Sequence, residues 1–237
     1  MSDAFERTPS RRAFVKTALV MGAAVVVPGC AQQAIRTAVA PPSPVPDPAA
    51  PPYVAPPPAE VAVRGGPPSI RKELFERAMA ALDTHSGRIA RRDRIAIVDF
   101  AAPSHLSRFH VVNVETGGTA SYLVAHGIGS DPAHTGWLQR FSNEVNSEAS
   151  CDGAFIASDY YVGVHGRSQR LIGLDPTNSN ALDRAIVVHG AWYANRDMIA
   201  TRGKLGRSQG CFAVGEAELA MVFDKLGDGR MIYAAKV

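Results

Sequence analysis

The sequence is short of the features that mark several large classes of protein. It has three cysteines in 237 residues, no HExxH or CxxC spacing, no heptads and no internal repeat. The missing spacings argue against a metal site, and the missing periods argue against a coiled coil or a solenoid. The apolar run from Ala18 to Val27 is too short to span a bilayer comfortably. Between Pro41 and Pro68, where twelve of the 17 prolines fall, large apolar residues are almost missing, so that stretch cannot build a core. Excess charge is missing as well. Residues 1–68 hold six basic and four acidic residues, which leaves 19 basic against 18 acidic in the following 169. The formal charge of +3 therefore belongs mainly to the leader and gives no ground for a nucleic-acid partner. A segment of 169 residues can bury about 70% of its unfolded surface, so it needs no disulfide or metal to fold.

What the leader does contain is ordered. Ser10-Arg11-Arg12-Ala13-Phe14-Val15-Lys16 precedes the apolar run, giving the charged and hydrophobic regions of a secretory signal. The order of residues resembles the twin-arginine export signal, which carries proteins out already folded. Val27-Pro28-Gly29-Cys30 resembles a bacterial lipobox, in which the cysteine becomes the lipidated first residue, although Pro28 is an unusual occupant. The rival cleavage site after Ala38-Val39-Ala40 is followed by Pro41, which is poorly accepted there. The alternative for Cys30 is an unmodified small hydrophobe. Ala31 in the next position implies, by the lipoprotein pattern, sorting to the outer membrane. The expected organisation is an export signal over residues 1–30, a proline-rich disordered tether over 31–68 and a folded domain over 69–237. The domain is expected to be periplasmic, with a lipid anchor at Cys30. In polyproline form the tether would reach on the order of 100 Å.

In the folded part, Ile70, Leu74, Ala78 and Leu82 recur every four residues after Ser69, a potential N-cap, and predict an amphipathic helix ending near Gly87. Short β-like runs follow at 95–100, 109–114, 122–125, 160–164, 171–174, 185–188 and 231–234, separated by Gly, Asn, Asp and Pro. A second helix is predicted over 216–226, with Leu219, Val222 and Leu226 on one face and Gly227 closing it. The fold class is mainly β with a few helices.

Three His-Gly pairs end apolar runs, at His126-Gly127, His165-Gly166 and His189-Gly190. Twenty-two residues after His189 comes Cys211, in Gly206-Arg207-Ser208-Gln209-Gly210-Cys211. The string around Ser208 matches the G-x-S-x-G nucleophile elbow, but an elbow needs a preceding strand and a later histidine, and neither is present. A thiol needs only a nearby imidazole to become a strong nucleophile, and His189 is the natural partner for Cys211. Gly210 permits a tight turn in which the N–H groups of Gln209, Gly210 and Cys211 converge on a developing oxyanion. On the residues alone a buried structural cysteine is the default reading.

Ile186 to Tyr193 together with Gly206 to Val214 resemble the active-site signature of the L,D-transpeptidase (YkuD-like) family, in its murein L,D-transpeptidase catalytic-domain branch. The likeness extends through 97–100, 124–127, 141–143 and 163–171 and so covers most of residues 90–237. The resemblance implies a β-sandwich-like fold, Cys211 as acyl-forming nucleophile, His189 as its base and the Gly190 carbonyl orienting the imidazole. It implies peptidoglycan stem peptides as substrate and no cofactor. Two positions depart from the family pattern: Gln209 stands where a histidine is usual, and Phe212 where the close branch has proline. Such substrates carry carboxylates, so Arg170 and Arg207 are candidate clamps, with solvated surface arginines as the alternative. Ser208 belongs to the same substrate-binding loop. His165 either lines the pocket or is a hydrogen-bonded turn residue, and His126 is expected to be structural. Cys151 is expected to be a small buried residue, the alternative being a disulfide to Cys211. The rival functions are an L,D-carboxypeptidase or endopeptidase of the same fold and a non-catalytic wall-binding lipoprotein. A metal site built from His126, His165, His189 and Cys211 ranks last.

Overall fold

The computed structural model describes residues 66–237. The export signal, the lipobox with Cys30 and nearly all of the tether lie outside the described residues.

The first helix, α1 (Lys72–Thr84), buries Leu74, Phe75, Ala78 and Leu82, as the four-residue spacing predicts. Its start is two residues later than a Ser69 cap would give. Arg71 stands at the N-cap and reaches Asp99, with Nε donating to Oδ2 at 2.8 Å, so a tertiary ion pair rather than a side-chain cap fixes where the helix begins. At the other end it stops at Thr84, before Gly87, and His85 donates its N–H back to the Ala81 carbonyl.

Eight strands follow: β1 (Arg94–Asp99), β2 (Phe109–Asn113), β3 (Thr119–Tyr122), β4 (Gly153–Gly163), β5 (Gly166–Gly173), β6 (Val187–Gly190), β7 (Phe212–Val214) and β8 (Met231–Ala235). Two further helices are α2 (Asp197–Arg202) and α3 (Leu219–Leu226). The strands form one ladder in the order β3-β2-β1-β8-β4-β5-β6-β7, with β1–β8 and β6–β7 parallel and the other pairs antiparallel. The ladder curls until its ends meet: Ala125, just past β3, bridges Ala213 in β7. The Phe100 and Phe212 rings, from regions far apart in strand order, lie 6.0 Å apart. This is the mainly β, sandwich-like architecture expected.

Strand β1 shows why its sequence is a continuous apolar run rather than an alternating one. Ile95 and Ile97 pack against α1 on one face, while Ala96 and Val98 join Phe109, Phe155, Val188, Phe212 and α3 on the other. A strand covered on both faces has no polar side. Strand β4 starts at Gly153, seven residues before Tyr160, and takes in the apolar residues Ala154, Phe155, Ile156 and Ala157; β5 starts at Gly166 rather than Leu171, because Ser168 and Gln169 are polar yet buried. Gln169 donates its amide N–H groups to the carbonyls of Ser158 and Gly227 at 3.1 and 3.0 Å, while its Oε1 is buried without a partner. Val164, expected in a strand, sits almost fully exposed in the β4–β5 turn. Strand β7 is three residues long after a polar loop and carries no local signal of its own.

Candidate active site

His189 and Cys211 meet because β6 and β7 are parallel neighbours. The register pairs Val188 with Phe212 and His189 with Ala213. Val188 and Phe212 point into the core, so by the two-residue period of a strand His189, Ala213 and Cys211 lie on the opposite face. There His189 and Cys211 line one cavity of about 370 Å³, together with Tyr161, His165, Tyr193 and Arg207.

The imidazole is held in one tautomer. Its Nδ1 lies 2.9 Å from the Gly190 carbonyl, and a carbonyl can only accept, so Nδ1 carries the proton and Nε2 keeps its lone pair. Burial pushes the His189 pKa below the ordinary value, the Gly190 bond opposes this, and neighbouring His165 pushes it down further. His165 comes from the β4–β5 turn and stacks on His189 with ring centroids 4.3 Å apart and planes 22° apart. The Cys211 thiol is half-buried and donates to the Ala185 carbonyl at 3.6 Å. Burial raises its pKa, opposed by the Val187 N–H and then by the Arg184 charge. Between them these shifts make the resting pair a neutral thiol and a neutral imidazole.

The loop before Cys211 is tied down from behind. Ser208 is buried; its N–H donates to the His126 carbonyl at 2.9 Å and its own carbonyl accepts from Ile128 at 2.7 Å. Its hydroxyl donates to the Cys211 carbonyl at 2.7 Å and accepts from the Gly210 N–H at 3.2 Å. Ser208 is thus a tie within the loop as well as part of the cavity wall, and the Gly210 N–H is spent on it, which corrects the expectation that this N–H would face an oxyanion. Gly210 has a φ of +111°, and a Cβ there would lie 2.7 Å from the Ala149 carbonyl oxygen, so the turn admits only glycine.

Behind that loop lies a fully buried chain of charge. Arg108 donates to the Val124 and Ala102 carbonyls and, through Nη2 at 2.8 Å, to His126 Nδ1. That contact makes Nδ1 the acceptor, so His126 Nε2 carries the proton toward Asp131 at 3.3 Å. Desolvation pushes the His126 pKa down to about 4, with the Arg108 charge adding to it. Both ring nitrogens of His126 are thus engaged by buried partners.

The expected clamps divide. Arg207 lines the cavity, though its Nη1 donates to the Asp131 and Pro132 carbonyls. Arg170 does not line it, which corrects the sequence reading: it pairs with Asp159 and lies 4.0 Å from the Tyr161 ring centroid, reaching the cavity only through that ring. Cys151 is buried, its thiol pushed up to about 11 by burial, and it forms no disulfide with Cys211. No cluster of side chains among the described residues could hold a metal ion. The two departures from the family pattern have local partners. Gln209 Nε2 donates to Glu148 at 3.1 Å, and Phe212 fills the core against Phe155, with ring centroids 5.5 Å apart.

The sequence reading missed Arg184. It lines both the cavity of His189 and Cys211 and a neighbouring one of about 310 Å³ that is also lined by Glu148 and Asp183. Its position directly before the apolar run leading to His189 was the available signal.

A model of the L,D-transpeptidase catalytic domain matches residues 67–235. No curated protein matches the chain. Among solved structures, an L,D-transpeptidase from Mycobacterium smegmatis is similar at 14% identity and a TM-score of 0.37, over 60% of this chain and 58% of its own. One from Xylanimonas cellulosilytica is similar at 17% identity and a TM-score of 0.36, over 66% and 68%. One from Mycobacterium tuberculosis is similar at 10% identity and a TM-score of 0.38, over 61% and 58%. The chain thus spans about three fifths of the length of two of these three.

Proposed function

The chain belongs to the L,D-transpeptidase catalytic-domain family, and from that premise we propose that it is a peptidoglycan L,D-transpeptidase with Cys211 as nucleophile and His189 as base. The observation that carries the reading is the open Nε2 of His189, whose other nitrogen is fixed on Gly190, in one cavity with the half-buried Cys211 thiol.

In the first step His189 Nε2 takes the thiol proton, and the sulfur attacks the carbonyl that joins the L-centre of diaminopimelate to the terminal D-Ala of a stem tetrapeptide. The N–H groups of Gln209 and Cys211 receive the oxyanion, since that of Gly210 faces Ser208. The C–N bond then breaks, His189 returns its proton to the departing D-Ala amine, and a thioester remains on Cys211. An amine of a second stem attacks the thioester carbonyl, expels the thiolate and forms the cross-link, while His189 takes up the amine proton. Arg207 and His165 bound the space in which the donor peptide lies. A neutral resting pair suits this order, because the thiolate forms as the substrate excludes water from the cavity.

Export of the chain through its twin-arginine-like leader, and lipidation at Cys30, would hold the domain outside the cytoplasm within reach of the wall. The mass of the mature N-terminus tests this: an unmodified Cys30 rejects the anchor.

The deciding experiment incubates the protein with a diaminopimelate tetrapeptide muropeptide and weighs the products. Cross-linked dimers with released D-Ala are expected, and both vanish in Cys211→Ala. Tripeptides alone would identify a hydrolase, and an unchanged substrate a binding module. D-Ala release at the normal rate by Cys211→Ala would refute the nucleophile.

A further inference from the structure

The catalytic cavity and its neighbour share a wall made of Arg184, Ala185 and Gln209. Arg184 reaches across this wall. Its Nη1 donates to the Ser142 carbonyl at 2.6 Å and its Nη2 to the Ala149 carbonyl, so one guanidinium staples two points of the long β3–β4 connection. The same Nη2 would lie 3.1 Å from a Cβ built on Gly210, which puts the charge against the residue that precedes Cys211. The residues after Arg184 continue around the nucleophile. Ala185, held at a φ of +52°, accepts from the thiol, and the Val187 N–H faces the sulfur.

A thiolate forming in a partly dry cavity is favoured by nearby positive charge; His189 rests neutral and becomes positive only as it takes the thiol proton, so any charge standing there beforehand must come from another residue. A guanidinium stays protonated at every working pH and is planar, so it can hold two carbonyls while its charge faces a third group. We propose that Arg184 is a positioning residue for Cys211: it fixes the nucleophile turn against residues 142–149 and supplies the standing positive charge beside which the thiolate forms. This rests on Cys211 being the nucleophile.

The other ionisable groups around the thiol are Tyr161, His165, His189, Tyr193 and Arg207 on its own cavity, with Glu148 and Asp183 on the far side of the wall, and the buried Cys151 thiol also feels the Arg184 charge. The test therefore varies the charge at residue 184 alone. It follows alkylation of Cys211 by iodoacetamide against pH in the full-length protein, resolved by peptide mass so that Cys30 and Cys151 are tracked separately. Arg184→Gln keeps a hydrogen-bond donor without charge, and Arg184→Lys keeps the charge without the fork. The midpoint of Cys211 alkylation should rise by about one pH unit in Arg184→Gln, slowing the reaction about tenfold below the midpoint, and stay near the wild-type value in Arg184→Lys. With substrate, kcat should fall in both while KM changes little. Equal midpoints in the two variants would overturn the proposal, whatever happens to their melting temperatures. Alkylation needs no substrate, so its outcome is separate from D-Ala release, on which the transpeptidase reading depends.

Discussion

His126 and His189 occupy matching sequence settings: each ends an apolar run and precedes a glycine. Both side chains are almost fully buried, at 1% exposure. They differ in what meets the second nitrogen. His126 has Arg108 on one side and Asp131 on the other, so both nitrogens are occupied and the ring joins two buried charges. His189 gives one nitrogen to the Gly190 carbonyl and turns the other to a cavity shared with a thiol. The first arrangement holds a structure and the second can move a proton. Burial by itself does not separate structural from chemical histidines; an unpartnered nitrogen does.

The sharpest break in this comparison is His189→Gln. Losing a general base should lower turnover by roughly 10²–10⁴-fold, with the melting temperature within a few degrees of the parent, as followed by D-Ala release and thermal unfolding. The mirror experiment is His126→Leu. Removing the link between Arg108 and Asp131 leaves buried charges short of partners, a loss of about 3–5 kcal/mol, which lowers the melting temperature by about 10 °C in a domain of this size. Turnover per alkylatable Cys211 should stay within about tenfold of the parent. A stable His126→Leu protein without turnover would reverse the roles assigned to the two residues.

Acid titration sharpens the same contrast. The His126 pKa is about 4 in the folded protein against 6.5 for the ordinary group, so between these values the unfolded chain binds the proton and the folded one does not. Stability should therefore fall as pH drops from 6.5 to about 4, by on the order of 3 kcal/mol, and that slope should flatten in His126→Leu. The lowered pKa of His189 predicts that the acid limb of kcat/KM lies below 6.5. The smallest effect belongs to Arg170→Ala. This exposed pair with Asp159 contributes little, so KM should change by less than about twofold; a tenfold rise would bring the hairpin back into substrate binding.

The legible parts of this molecule were those with local periodicity. The spacing of Leu74, Ala78 and Leu82 predicted α1, and the apolar runs marked β1, β2, β6 and β8, although the buried polar residues Ser168 and Gln169 hid half of β5. At the site, the pairing of His189 with Cys211 was readable from the residues around them. Which of Arg170 and Arg207 lines the cavity was not, because they carry the same charge and only their partners set them apart.

By itself the sequence determined the nucleophile and base candidates, the glycine turn between them and the mainly β character, because each depends on residue type and near-neighbour pattern. The tertiary structure alone decided which histidine keeps a free nitrogen, that Phe212 belongs to the core and that Arg184 stands beside the thiol. Those outcomes depend on contacts between residues 18 to 57 positions apart, and no local pattern encodes them.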